Sequence, residues 1–171
     1  MKKFSSFTHW TTEFAEQGCF EDINLMAAFD EWSQWPSCAA LDSLLPYEVT
    51  NNNGKTIQFV EQSPNQDYSA VDYETQIFDT GKVPTRNESW HDIFGALVWS
   101  MYPRSKAKIN ELHVIDIRSN GAQERSKLRN ALTLFDECGV VIVTKNQALL
   151  EKLRNHEWEE VFLEHRDLWH Q

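Results

Sequence analysis

The feature that most constrains this chain is the run IFGALVW at residues 93–99, apolar on nearly every side of a helix and bracketed by a helix-start signal and a proline. A helix that is apolar all round belongs in an interior, so the spacing predicts a central helix beginning near Ser89 and ending before Pro103. Two capping boxes compete for its start. Thr85 with Glu88 and Ser89 with Asp92 both pair a hydroxyl with an acid three residues on. Gly95 inside the helix costs about 1 kcal/mol relative to alanine, which leads us to expect another element packed closely against it.

Around this helix the chain reads as a mostly helical α+β single domain spanning residues 1–171, with a small two- or three-stranded sheet. Apolar spacing predicts helices at 7–17 and 23–35, and a short one at 38–45 between Ser37 and Pro46. Asn51, Asn52, Asn53 and Gly54 form a turn. β-branched and aromatic residues predict strands at 55–62, 73–80 and 140–143. Beyond Pro103, residues 104–118 read as a basic amphipathic helix with Ala107, Ile109, Leu112 and Ile115 inside, a reading preferred to a strand at 112–117. Residues 123–138 read as a helix burying Leu128, Ala131, Leu132 and Phe135. Further helices are expected at 147–155 and 158–169.

Charge narrows the function classes. Residues 1–80 hold 13 acids and 3 bases, while residues 81–171 are neutral overall and residues 102–129 carry a net +4. Either the acidic half compensates this basic stretch internally, or the stretch holds an anion. A sequence pI near 5.0 argues against nucleic-acid binding, which rewards a basic surface. The first residues lack the continuous apolar core of a signal peptide, and the 93–99 run falls short of the roughly 20 residues that span a bilayer. Cys19, Cys38 and Cys138 have no paired spacing and read as small buried hydrophobes of a reducing cytoplasm.

No spacing matches a motif of fixed mechanism: H-x-x-x-H, H-E-x-x-H, C-x-x-C, a Gly-rich phosphate loop and G-x-S-x-G are all missing. The densest chemistry lies at His91 and Asp92, with Arg86 and Trp90 beside them. Adjacent helical positions point about 100° apart, so His91 and Asp92 need help from the helix start to face one site. Asp136 and Glu137 occupy the last turn of a helix, where the dipole disfavours negative charge. An ion pair with Arg129, seven residues before Asp136, or with a base elsewhere would explain them structurally; a cation or substrate would explain them functionally.

One reading is therefore an enzyme in which His91, Asp92, Asp136 and Glu137 form an acid–base or divalent-cation site. Arg86, Trp90, Arg125 and Arg129 would then bind a small anionic substrate. The alternative is a non-catalytic protein-interaction or ligand-binding module, with those acids consumed by internal ion pairs and an apolar patch left exposed.

A series of segments carries a resemblance: Tyr73 and Glu74, GKVPTR at 81–86, WHDIF at 90–94, YPRSK at 102–106, Asn110, and RSKLRNALTLFDECG at 125–139. Together, in order, over the central part at 73–139, they resemble the family of unknown function DUF3025. The resemblance implies a bacterial protein and marks Arg86, Trp90, His91, Asp92, Asp136 and Glu137 as motif positions. It brings no assigned activity. Where that family's pattern has asparagine, this chain has Gly95, one turn after His91.

Overall fold

The computed structural model describes residues 9–16, 18–63, 65–123 and 125–170, with the side chains of Cys19, Asp30 and His170 outside the description. The chain divides into two compact units, Met1–Asp136 and Glu137–Gln171. Both belong to a mostly helical α+β arrangement with a two-stranded sheet.

In the first unit the sheet pairs β1 (Gln58–Glu61) with β2 (Lys82–Thr85) in parallel, Phe59 opposite Val83 and Glu61 opposite Thr85. Parallel neighbours need a crossover, and α3 (Ala70–Thr80) supplies it. This overturns the strand expected at 73–80. The Ser69 hydroxyl accepts from Asp72 N–H and starts a helix there, while Gly81 ends it at φ +76°. The buried Asn51 side chain donates to the last carbonyls of α3, Ile77 and Phe78, at 2.7 and 2.9 Å. Its oxygen accepts from Asn53 and Lys55 N–H, so one residue both shapes the 51–54 turn and closes a helix end. The second strand lies instead at 82–85, directly after Gly81. A Cβ at Gly81 would sit 2.1 Å from the Thr56 carbonyl oxygen, so only glycine fits this junction.

The helices before the sheet are shorter than their periodicity suggests. α1 (Glu21–Ala27) stops where Ala28 turns left-handed, and the Asn24 side chain takes Phe29 N–H in place of the helical ladder. That break inserts Phe29 fully into the core. Of the helix expected at 7–17, residues 13–16 form one 3-10 turn and residues 7, 8 and 17 lie outside the described residues. α2 (Cys38–Asp42) begins at the Ser37 cap, as its sequence signals.

α4 (Trp90–Met101) is capped by Ser89, whose hydroxyl accepts from Asp92 N–H; Thr85 lies in β2. The expectation of a central helix is met. Ile93 and Leu97 enter a core with Ala15, Ala27 and Phe29, whereas Ala96 and Trp99 enter another with Leu41, Phe59, Ile77 and Val83. The two residues of each set stand about one helical turn apart and the sets interleave on neighbouring faces, so α4 joins both cores. Close packing at Gly95 is not found: a Cβ there would meet nothing within 4 Å.

α5 (Pro103–Asn120) follows with proline in its first turn. It buries Ala107 and Val114 but also Asn110, His113 and Asp116, and it leaves Ile115 exposed, contrary to the apolar face read from sequence. α6 (Lys127–Cys138) departs further: Arg129 is buried, while Leu128, Leu134 and Phe135 face solvent. In the second unit, α7 (Gln147–Arg154) is capped by Asn146 and a π-helical turn covers Glu160–Glu164. Residues 140–143 form no strand and are exposed; β-branched residues favour a pleated ladder only where a partner strand exists. Cys38 is half-buried and Cys138 exposed, so Cys138 is not the buried hydrophobe expected.

Candidate functional site

The entrance of α4 gathers Arg86, His91 and Asp92. Arg86 leaves β2 just ahead of a turn in which Glu88 takes φ +54°, and this doubling back returns its guanidinium to the first turn of α4. Asp92 accepts from Arg86 three times: the backbone N–H at 2.6 Å, Nε at 3.0 Å and Nη2 at 2.7 Å. Its Oδ1 also lies 2.9 Å from His91 Nδ1. The help that adjacent helical positions need thus comes from helix-start geometry, with Asp92 only 11% exposed and the His91 ring 76% exposed. Nη2 of Arg86, a donor only, stands 3.3 Å from the same His91 Nδ1 and would donate to it if that nitrogen carried no proton. The contact to Asp92 is shorter and its carboxylate can only accept, which favours the tautomer in which Nδ1–H donates to Asp92 and Nε2 carries the lone pair. Burial pushes the Asp92 carboxyl up. Hydrogen bonds from the Arg86 side chain and backbone and from His91 outweigh burial and hold it below its ordinary value.

Inward from this entrance runs a polar seam among α3, α5 and α6. Lys106, Asn110, His113 and Asp116 follow one another along α5 at spacings of three or four residues. Lys106 Nζ lies 2.8 Å from both carboxylate oxygens of Asp136 on α6. Asn110 Nδ2 donates to the Glu74 carbonyl at 2.9 Å and to its carboxylate at 2.7 Å. Asp116 pairs with Arg129 at 3.4 Å, both side chains buried, and accepts from Asn120. Burial raises the Glu74 carboxyl, with Asp136 adding to the rise and Asn110 and Lys106 opposing it. Burial lowers His113, as do the Arg125, Arg129 and Lys106 charges, while Asp136 acts in the opposite sense.

Tyr73 links the two places. Burial drives its hydroxyl pKa far upward, and the charges of Glu74, Asp92 and Asp136 add to the rise while Arg86 opposes it. Groups from the turn before α4, from α3 and from α6 thus act on one phenol.

Of the sequence candidates, Arg86, His91 and Asp92 come together. Trp90 instead packs between Trp10, Phe14 and Trp35 at ring separations of 5.0 to 5.2 Å. Asp136 is held by Lys106 and Arg129 pairs with Asp116, so of the two structural accounts of Asp136 the ion pair is made with a base on another helix and not with Arg129. Arg125 is exposed and donates to Thr133, and Glu137 is exposed in the second unit. Among the described residues no three His, Cys, Asp or Glu side chains gather as a metal cage. An open hollow of about 420 Å³ lies elsewhere, lined by Asp42, Tyr47, Glu48 and Thr56, and includes none of these candidates. Tyr73, Glu74, Lys106, Asn110 and His113 join the site without being among the residues the sequence marks as candidates. For Lys106, Asn110 and His113 the signal is the three-to-four spacing of polar side chains along residues 106–116, on a helix that reads as solvated on its polar side; Tyr73 and Glu74 carry no such spacing.

The fold and seam define a mostly helical α+β protein with a polar interior between helices, and among the described residues no helix is long and apolar enough to cross a membrane. The model of the family described as protein of unknown function DUF3025 matches residues 57–171, and the chain belongs to that family. No curated protein and no solved structure matches it.

Proposed function

We propose that this chain is a cytoplasmic enzyme that performs acid–base chemistry on a small anionic molecule, with His91 as the proton-transfer group. The observation that carries the reading is the 2.9 Å contact from His91 Nδ1 to the Asp92 carboxylate beneath a solvent-facing ring. A carboxylate on Nδ1 fixes the ring and stabilises the imidazolium formed when Nε2 takes a proton. Arg86, half-exposed beside it, supplies positive charge for an anionic group while it orients Asp92. The polar seam behind, reached through Tyr73, supports a reaction site over a mere helix cap, because a cap does not call for a buried Asp116–Arg129 pair or for half-buried Glu74 and Lys106 on neighbouring helices.

A thermal-shift screen of phosphorylated and carboxylated metabolites, with a divalent-cation arm, tests this. A stabilising ligand whose effect is lost in His91→Ala but kept in Arg154→Ala, a change at an exposed position of α7, supports the site. A panel without effect, or a shift that survives His91→Ala and Arg86→Lys, sinks it. A second reading, the non-catalytic interaction module, is favoured by the apolar side chains that α6 turns outward.

A further inference from the structure

α6 is inverted relative to an ordinary surface helix. It turns Arg129 and Asp136 toward α5, to Asp116 and Lys106, and turns Leu128, Ala131, Leu134, Phe135 and Cys138 outward. Leu134 is 65% and Phe135 50% exposed. Residues 128, 131, 135 and 138 recur at helical spacing, so the outward side is a stripe, with Leu134 beside it. A helix interior buried around charge and open around leucine leaves apolar surface that association would remove from water.

The ends of the helix say what covers it. The amino end is basic, with exposed Arg125 and Lys127, and the carboxyl end is acidic, with exposed Glu137. A partner of one sign would match one end and repel the other. A second α6 laid antiparallel matches both, because a two-fold axis at the middle of the helix brings Lys127 of each copy to the level of Glu137 of the other. The same axis sets Leu128 against Phe135 of the second copy and opposes the two helix dipoles. We infer that this chain forms a two-fold dimer through antiparallel packing of the outward sides of α6.

The interface is modest. Twelve residues of helix extend about 18 Å, so the contact is small and a weak, concentration-dependent dimer is expected. The net charge of −10 per chain opposes association in general, so the contact depends on the apolar stripe and on matched ends.

Sedimentation of the full chain across about 1 to 200 µM reads the equilibrium directly. Phe135→Glu and Leu134→Glu should each raise the dissociation constant about tenfold or more, whereas Leu25→Glu, at an exposed leucine of α1, should leave it unchanged. Circular dichroism checks that each variant is folded. Lys127→Glu alone should weaken the dimer about threefold, and adding Glu137→Lys should restore it, an arm that stands even if an apolar variant misfolds. A monomer at every concentration overturns the inference. So does a dimer indifferent to Phe135→Glu and Leu134→Glu, or a charge reversal whose second half does not rescue the first. The ligand response assigned to His91 is measured separately, so either result leaves that reading to its own test.

Discussion

Asp92→Asn tests how the α4 entrance is held together. The substitution keeps the size and one acceptor oxygen but removes the charge that collects Arg86 N–H, Arg86 Nε, Arg86 Nη2 and His91 Nδ1. Hydrogen bonds to a charged group contribute about 1.5 to 3 kcal/mol each when buried. The Arg86 guanidinium is half-exposed, so solvent screens its share, and the asparagine oxygen retains part of the rest. About 2 kcal/mol of lost stability at neutral pH is the resulting figure. The pH dependence gives the argument its sign. The Asp92 carboxyl lies below its ordinary value in the folded chain, so its contribution is complete above the ordinary Asp value of about 4 and is lost as pH falls through the lowered folded value. Urea unfolding of wild type and variant over a pH series should therefore show a gap that is constant above about pH 4 and closes in acid. Equal stabilities at neutral pH, or a gap that persists undiminished in acid, would refute the role assigned to Asp92.

Three other substitutions probe what positions the site. Gly81→Ala forces φ +76° on a residue with a Cβ and drives that atom against the Thr56 carbonyl; a loss of about 3 kcal/mol or more is expected by chemical denaturation, and a loss under about 1 would contradict the close approach. Gly95→Ala fills open space within a helix and should stabilise the chain by about 0.5 to 1 kcal/mol, whereas destabilisation would mean that an element does pack there. Arg129→Met leaves the buried Asp116 without its cation and should cost about 3 to 5 kcal/mol, with Asp116→Asn in the same chain recovering much of it.

The apolar periodicity of residues 93–99 was enough to place α4 in the interior, because a helix apolar on so many sides has nowhere else to go. Capping chemistry was legible at Ser37 and Ser89. It was overlooked at Ser69, where β-propensity in Tyr73, Ile77 and Phe78 outweighed a single hydroxyl and turned a crossover helix into an expected strand. Val140 to Val143 failed for the opposite reason: propensity was present, but a strand needs a partner that no local pattern supplies. The site divides in the same way. Arg86, His91 and Asp92 lie within one turn and helix start, so their meeting is local. The seam arises from α3, α5 and α6 meeting across residues 73–136, and a rule that sends charge to solvent sends Asn110, His113 and Asp116 to the wrong side of α5.

That seam should leave its own signature in acid. His113 is buried with its proton affinity lowered, first by burial and then by Arg125, Arg129 and Lys106. The unfolded chain therefore binds a proton before the folded one does, and stability declines as pH falls below the ordinary histidine value of about 6.5. Glu74 has the opposite sign. Its folded carboxyl is raised, so the folded chain takes the proton first, and stability gains as pH falls through that raised value toward the ordinary glutamate range. The two effects oppose each other between about pH 6.5 and 4.5, above the window in which Asp92 acts. His113→Gln removes the loss and Glu74→Gln removes the gain, so over that interval stability should fall most steeply in Glu74→Gln and least steeply in His113→Gln, with wild type between. One proton bound differentially changes the slope by at most about 1.4 kcal/mol per pH unit, well within reach of urea titrations. Parallel profiles for the three proteins would mean that neither group titrates differently on folding, and would refute the opposed proton affinities assigned to His113 and Glu74.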